Sequence, residues 1–181
     1  PLWSRGLGDV YKRQVKDADI IILCVPVGAM EDVAAEIAPY IKSNTIISDV
    51  GSVKGAVVDA LTEHLGAKGH IIPAHPVAGT EHSGPDAGFE NLFVNRWCII
   101  TPPEGADKAA ISKLRELWEE MGANVETMSA AHHDLVLAIT SHVPHLIAYN
   151  IVGTAADLEE VTQSEVIKFS GGGCRDFTGI A

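Results

Sequence analysis

Residues 20–26, Ile20-Ile21-Ile22-Leu23-Cys24-Val25-Pro26, decide the fold class of this chain. A continuous apolar run closed by proline has no polar face to offer water, so as a strand it must be covered on both sides, as inside a parallel sheet. Beyond it Met30, Val33, Ala34, Ile37, Ala38 and Ile41 recur at helical spacing, with Pro39 breaking the last turn. Ser43-Asn44 then punctuates the chain before a second apolar run, Thr45-Ile46-Ile47-Ser48-Asp49-Val50. The alternation continues with a helix over 53–65, a strand over 70–74, a strand over 96–101 closed by Pro102-Pro103, a helix over 108–121 and a short strand over 124–128. Strands alternating with helices of about 12 residues imply parallel strands joined by right-handed crossovers. The expected fold class is α/β, a partial doubly wound parallel sheet.

The character changes at Ser129. Residues 130–157 read as one long, largely apolar helix whose only breakers are Pro144 and Gly153, and a further helical piece is expected near Thr162. This is the start of an all-helical domain, with Pro144 expected to kink its first helix. The expected organisation is residues 15–128 as the C-terminal part of a sheet domain and 129–181 as the beginning of the helical one. Residues 1–14 begin without Met, follow neither period and change abruptly at Val15. They are read as non-native sequence, similar to the translated adapter-like ends of assembled environmental reads. Residues 176–181 stop without a cap just after a glycine turn, so this chain is expected to be a fragment, truncated at both ends, of a natural protein that continues.

Composition narrows the classes of function. The chain has 181 residues, 46% of them hydrophobic, enough for a substantial core. Its 13 Lys and Arg against 24 Asp and Glu give a net charge of −11, with no basic cluster or interleaved aromatic stripe, so nucleic acid is not an expected partner. Cys24, Cys98 and Cys174 are far apart and lack C-x-x-C spacing, which fits reduced packing residues of a cytoplasmic protein. No stretch is expected to approach the roughly 18 apolar residues of a membrane span, and the first residues lack the order of a signal peptide. No membrane partner is expected.

The chemistry concentrates at the ends of the strands. The run His75-Pro76-Val77-Ala78-Gly79-Thr80-Glu81-His82-Ser83-Gly84 follows the apolar residues 70–74 and puts an imidazole at the lip of the sheet, where open α/β sheets bind ligands. An imidazole there suits a general base, its unperturbed pKa lying near neutrality. Ser52, after the strand end at Asp49 and Gly51, either caps the helix over 53–65 or fixes one ring nitrogen of His75 so that the other takes the proton. If the sheet binds a nucleotide, the loop carrying Cys24, Val25 and Pro26 lies beside the cofactor, with Ser52 on the neighbouring turn. Gly6-Leu7-Gly8 has neither a preceding strand nor a third glycine opening a helix, so it is not a pyrophosphate loop. His142 and His145 either pack in the core of the long helix or bind an anionic substrate. They carry no H-E-x-x-H spacing, and no metal is expected. A Ser52, His75 and Asp49 hydrolase lacks the G-x-S-x-G elbow.

Four stretches carry a family resemblance. Gly51-Ser52-Val53-Lys54, the 75–84 run, Ser141-His142-Val143-Pro144-His145 and Gly171-Gly172-Gly173-Cys174-Arg175-Asp176-Phe177-Thr178 stand in an order and approximate spacing that resemble the prephenate/arogenate dehydrogenases of tyrosine biosynthesis, over residues 15–181. The resemblance implies a Rossmann-type domain that binds NAD or NADP, a helical domain that forms a homodimer, and oxidative decarboxylation of prephenate or arogenate to 4-hydroxyphenylpyruvate or tyrosine. It implies His75 as acceptor of the ring-hydroxyl proton, Ser52 as the residue that orients it, His145 as a substrate contact, and Thr80 and Glu81 in the loop flanking the substrate. The family arginine that clamps the ring carboxylate is replaced by Gly179, and Arg175 is the nearby substitute. Two rivals remain: another Rossmann-type hydroxy-acid dehydrogenase, and a non-catalytic fragment.

Overall fold

The computed structural model describes residues 14–66, 68–79, 87–162, 168–169 and 171–179. The chain divides into two compact units, Pro1–Asp134 and Leu135–Ala181.

The first unit is built around two three-stranded sheets. Strand β1 (Ile20–Leu23) pairs in parallel with β2 (Thr45–Asp49), Ile20 facing Ile46 and Leu23 facing Asp49; β2 pairs in parallel with β3 (Gly69–Ile71). Helix α1 (Met30–Ile37) connects β1 to β2, and α2 (Gly55–Leu65) connects β2 to β3. In the second sheet β4 (Ala74–Pro76) is antiparallel to β5 (Trp97–Ile100), which is parallel to β6 (Asn124–Thr127) across α3 (Lys108–Glu120).

The unbroken apolar runs have the predicted cause. Alternate residues of a strand face opposite sides, and here both sides are covered. Ile21, Leu23 and Ile47 pack with Met30, Ala34, Ile37, Val57, Leu61 and Leu65 of α1 and α2. Ile46 instead joins Ile72, Ala74, Cys98, Ile100, Leu114 and Trp118, with Ile20 and Ile22 packed against them. Phe93 meets Trp118 edge to face, ring centroids 5.2 Å apart. Asp107 caps α3 by accepting from the Ala110 N–H at 2.8 Å, and Gly122, at φ 89°, occupies the left-handed region just past its end.

The α/β class and its parallel first sheet match the expectation; four details differ. The strand expected over 70–74 is two, because Pro73 cannot donate to a ladder: the chain leaves the first sheet after Ile71 and enters the second at Ala74. The β4–β5 pair is antiparallel where a uniformly parallel sheet was expected. Helix α2 starts at Gly55 with Lys54 at its N-cap, so Ser52 is not its cap. The glycines read as a turn instead open a helix, with Gly171 at its N-cap.

Helix α4 (Ala130–Leu137) runs into a π-helical turn, Ala138–His142, and then α5 (Val143–Thr162); α6 (Gly172–Thr178) follows. The irregularity expected at Pro144 lies just upstream, since a proline without an N–H is accommodated where the ladder has already widened. Within this stretch Ala130–Asp157 is 28 residues long with a mean hydropathy of 1.5, long and apolar enough to cross a membrane. That corrects the expectation that nothing approaches a spanning length. His132, His133, Asp134, His142 and His145 interrupt any unbroken apolar run, yet the average over the segment stays high.

Candidate active site

The site grows from the carboxyl ends of β1 and β2 and from β4 beside them. Asp49 ends β2, fully buried, and its Oδ2 accepts the Gly51 N–H at 2.7 Å. A side chain at position 51 would not fit: a Cβ there would lie 2.9 Å from that oxygen and 3.2 Å from both Met30 and Val27. The Lys54 ammonium, also fully buried, donates to Asp49 Oδ2 and to the Ala74 carbonyl, the latter at 2.7 Å. Asp49 Oδ1 accepts the Ala74 N–H at 3.2 Å. This ion pair thus holds both backbone groups of the residue before His75. Burial pushes the Asp49 carboxyl up and the Lys54 ammonium down, each partly restrained by the other's charge.

His75 itself is 8% exposed, at the middle of β4 opposite Ile99. Its Nδ1 lies 2.8 Å from Nε2 of the fully buried His133, the rings meeting edge to face at 69°. His133 Nδ1 in turn lies 2.8 Å from Asp134 Oδ1. Asp134 also accepts the Lys54 and Gly55 N–H groups, at 2.7 and 2.9 Å, and so caps α2 from a distance in place of a capping side chain. Partial burial opposes its ionisation, but the Gly55 N–H, the His133 ring and the Lys54 N–H together hold its carboxyl below the usual range.

The other expected site residues fall as follows. Cys24, Val25 and Pro26 continue β1 beyond its carboxyl end, with Cys24 and Pro26 exposed and Val25 half-buried. Burial pushes the Cys24 thiol up, and the nearby Asp49 adds to it. Ser52 is exposed in the turn after β2, and the structure describes no hydrogen bond between it and His75. Thr80 and Glu81 lie outside the described residues. In the second unit His145 is half-buried, its Nδ1 2.7 Å from the Ser141 carbonyl, and Arg175 lies on α6. His133, Asp134 and the buried position of Lys54 were missed. His132-His133-Asp134 was visible as a run, but nothing in its spacing pairs it with residues 54 and 75. Among the described residues Glu31, Glu63 and His64 bring donor atoms within 4.8 Å of one another, but both carboxylates are exposed and water solvates them without an ion.

Parallel strands with exposed loops at their carboxyl ends form the kind of α/β domain that binds ligands at that edge of its sheet. The sequence profile of the prephenate dehydrogenase nucleotide-binding domain matches residues 4–127, and that of the prephenate dehydrogenase dimerization domain matches 129–181. The chain belongs to the prephenate dehydrogenase family. It is 46% identical over 174 residues to cyclohexadienyl dehydrogenase of Zymomonas mobilis, 96% of this chain and 59% of that protein. Prephenate dehydrogenase from A. aeolicus, crystallised with hydroxyphenyl propionate and NAD+, superposes with a TM-score of 0.83 at 33% identity, over 93% of this chain and 59% of that one. Synechocystis arogenate dehydrogenase gives 0.75 at 28% identity, over 93% and 60%. The chain therefore spans between 47% and 59% of the length of the curated relatives it matches at 30% identity or more.

Proposed function

We propose that this protein carries out the NAD- or NADP-dependent oxidative decarboxylation of prephenate or arogenate, with His75 as the general base. The supporting observation is the buried imidazole of His75 on β4, held by a hydrogen bond on its ring and by those on the backbone of the preceding Ala74, beside the carboxyl ends of parallel strands. His75 takes the proton of the ring hydroxyl as the carbon bearing it is oxidised, and carbon dioxide leaves as the ring becomes aromatic. Aromatisation drives the reaction, so the residues need only place the reactants and remove one proton on time.

Cys24, Val25, Pro26 and Ser52 would hold the nicotinamide cofactor. They fit it: the loop is exposed at Cys24 and Pro26, and a Cβ at Gly28 would have nothing within 4 Å. When bound, such a cofactor supplies the hydride acceptor. His145, Thr80, Glu81 and Arg175 are the proposed substrate contacts, Arg175 serving the ring carboxylate in place of Gly179. His145 suits this role, since its Nδ1 is committed to the Ser141 carbonyl and its Nε2 is the nitrogen left for a ligand. The apolar surface of the second unit, including Ile139, Leu146 and Tyr149, is the homodimer contact of a soluble cytoplasmic enzyme rather than a lipid-facing surface. The free thiols of Cys24, Cys98 and Cys174 are consistent with that compartment.

The test is an assay of reduced nicotinamide and released carbon dioxide for each pairing of prephenate or arogenate with NAD or NADP. At least one pairing is expected to give both products in equal amounts. Reduced cofactor formed from simple hydroxy acids, and from neither cyclohexadienol, would replace this proposal with the hydroxy-acid alternative.

A further inference from the structure

We propose that His133 and Asp134 are positioning residues for His75, a histidine–histidine–carboxylate chain that fixes which nitrogen of His75 receives the substrate proton. The proposal rests on the assignment of His75 as base made above and adds what sets its tautomer.

The chain can be worked out from its far end. Two obligate donors, the Lys54 and Gly55 N–H groups, point at the Asp134 carboxylate, and its carboxyl is held below the usual range, so it is an acceptor toward His133 as well. The 2.8 Å contact from His133 Nδ1 is therefore an N–H donation, which leaves the Nε2 of neutral His133 with its lone pair. Two lone pairs do not face each other at 2.8 Å, so His75 Nδ1 carries the hydrogen and donates it to His133. The Nε2 of neutral His75 is thus the accepting nitrogen. When it takes a proton, the bond to His133 becomes charge-assisted and the new positive charge is drawn along the chain toward Asp134. With His133 fully buried and His75 nearly so, little water competes with these bonds.

The backbone of His75 is held independently. Lys54 and Asp49 grip the carbonyl and N–H of Ala74, and the Lys54 N–H ties the same turn to Asp134. Among the described residues, the titratable and charged groups around His75 include His133 and Asp134 from α4, Asp49 and Lys54 from behind Ala74, and Cys98 on β5, whose thiol burial pushes up to about 12 and leaves uncharged. Asp134→Asn removes one negative charge and leaves the others in place.

The test is nitrogen-15 NMR of the histidine rings in this chain, which reads tautomer and titration without needing turnover. Wild-type His75 is expected to be Nδ1-protonated when neutral. His133→Gln should keep that tautomer, because an amide oxygen can still accept from Nδ1, whereas His133→Ala should lose it. Asp134→Asn should move the His75 titration to lower pH, about a tenfold loss of proton affinity. An Nε2-protonated wild-type His75 would overturn the proposal with no variant needed, as would an unchanged His75 titration in folded Asp134→Asn. A purely structural tie between α4 and α2 would leave the His75 tautomer in folded His133→Ala the same as in wild type. Turnover of His75→Ala tests the base assignment separately: its retention refutes that assignment, whereas the NMR decides the chain.

Discussion

At the scale of single residues, the site depends on charges that the fold has taken out of water. Lys54 and Asp49 are both fully buried, and the worth of such a pair lies mainly in what its loss leaves behind. Lys54→Met is expected to lower stability by about 3–5 kcal/mol in urea unfolding, because Asp49 is then buried alone. Asp49→Leu combined with Lys54→Met should recover most of it. Asp134 acts in the opposite sense, its folded-state carboxyl held below the unfolded value. Its stabilising contribution is present above the ordinary carboxylate range near pH 4 and disappears as pH falls through the lowered folded value. Urea unfolding midpoints measured from neutral pH downward should therefore fall less steeply in Asp134→Asn than in wild type. The place of His75 in a strand beside a glycine-rich turn was legible because the apolar run before it reads as a strand. His133 was not, because its partner lies 58 positions away and helical spacing says nothing about a neighbouring strand. A buried Lys54 runs against the ordinary solvation of lysine, which is why GSVK was read as a motif without a location for its cation.

At the scale of elements, the alternation of strands and helices could be read directly, since a strand covered on both faces leaves an unbroken apolar run that few other structures require. Ile46 and Ile47, adjacent in β2, feed opposite cores. What escaped were the breaks in that regularity: the sheet change at Ile72-Pro73, which depends on which ladder receives the next N–H, and the π turn before Pro144. The core facing α3 is centred on Trp118, whose buried indole N–H has no hydrogen-bond partner among the described residues. Trp118→Ala should cost about 3–5 kcal/mol, read from thermal or urea unfolding. Trp118→Phe should cost much less, since it keeps the ring against Phe93 and removes an unsatisfied donor.

At the scale of the molecule, the chain forms a sheet unit ending at Asp134 and a helical unit beginning at Leu135, and the exposed apolar surface of the second was not legible in the sequence. Leu135, Ile139, Leu146 and Tyr149 are each more than half exposed on that unit, an apolar area that a partner subunit would cover. Leu146→Glu with Ile139→Glu is expected to shift the protein from dimer to monomer in sedimentation velocity. An unchanged sedimentation coefficient would place the dimer contact elsewhere. The sheet unit owes its proposed chemistry to one residue. The most direct measurement is the steady-state turnover of His75→Ala against wild type, with prephenate and with arogenate and the cofactor saturating. A fall in kcat of about 10²-fold or more, with the circular dichroism spectrum unchanged, is the predicted result. Wild-type turnover by His75→Ala with either substrate would contradict the assignment of His75 as the base.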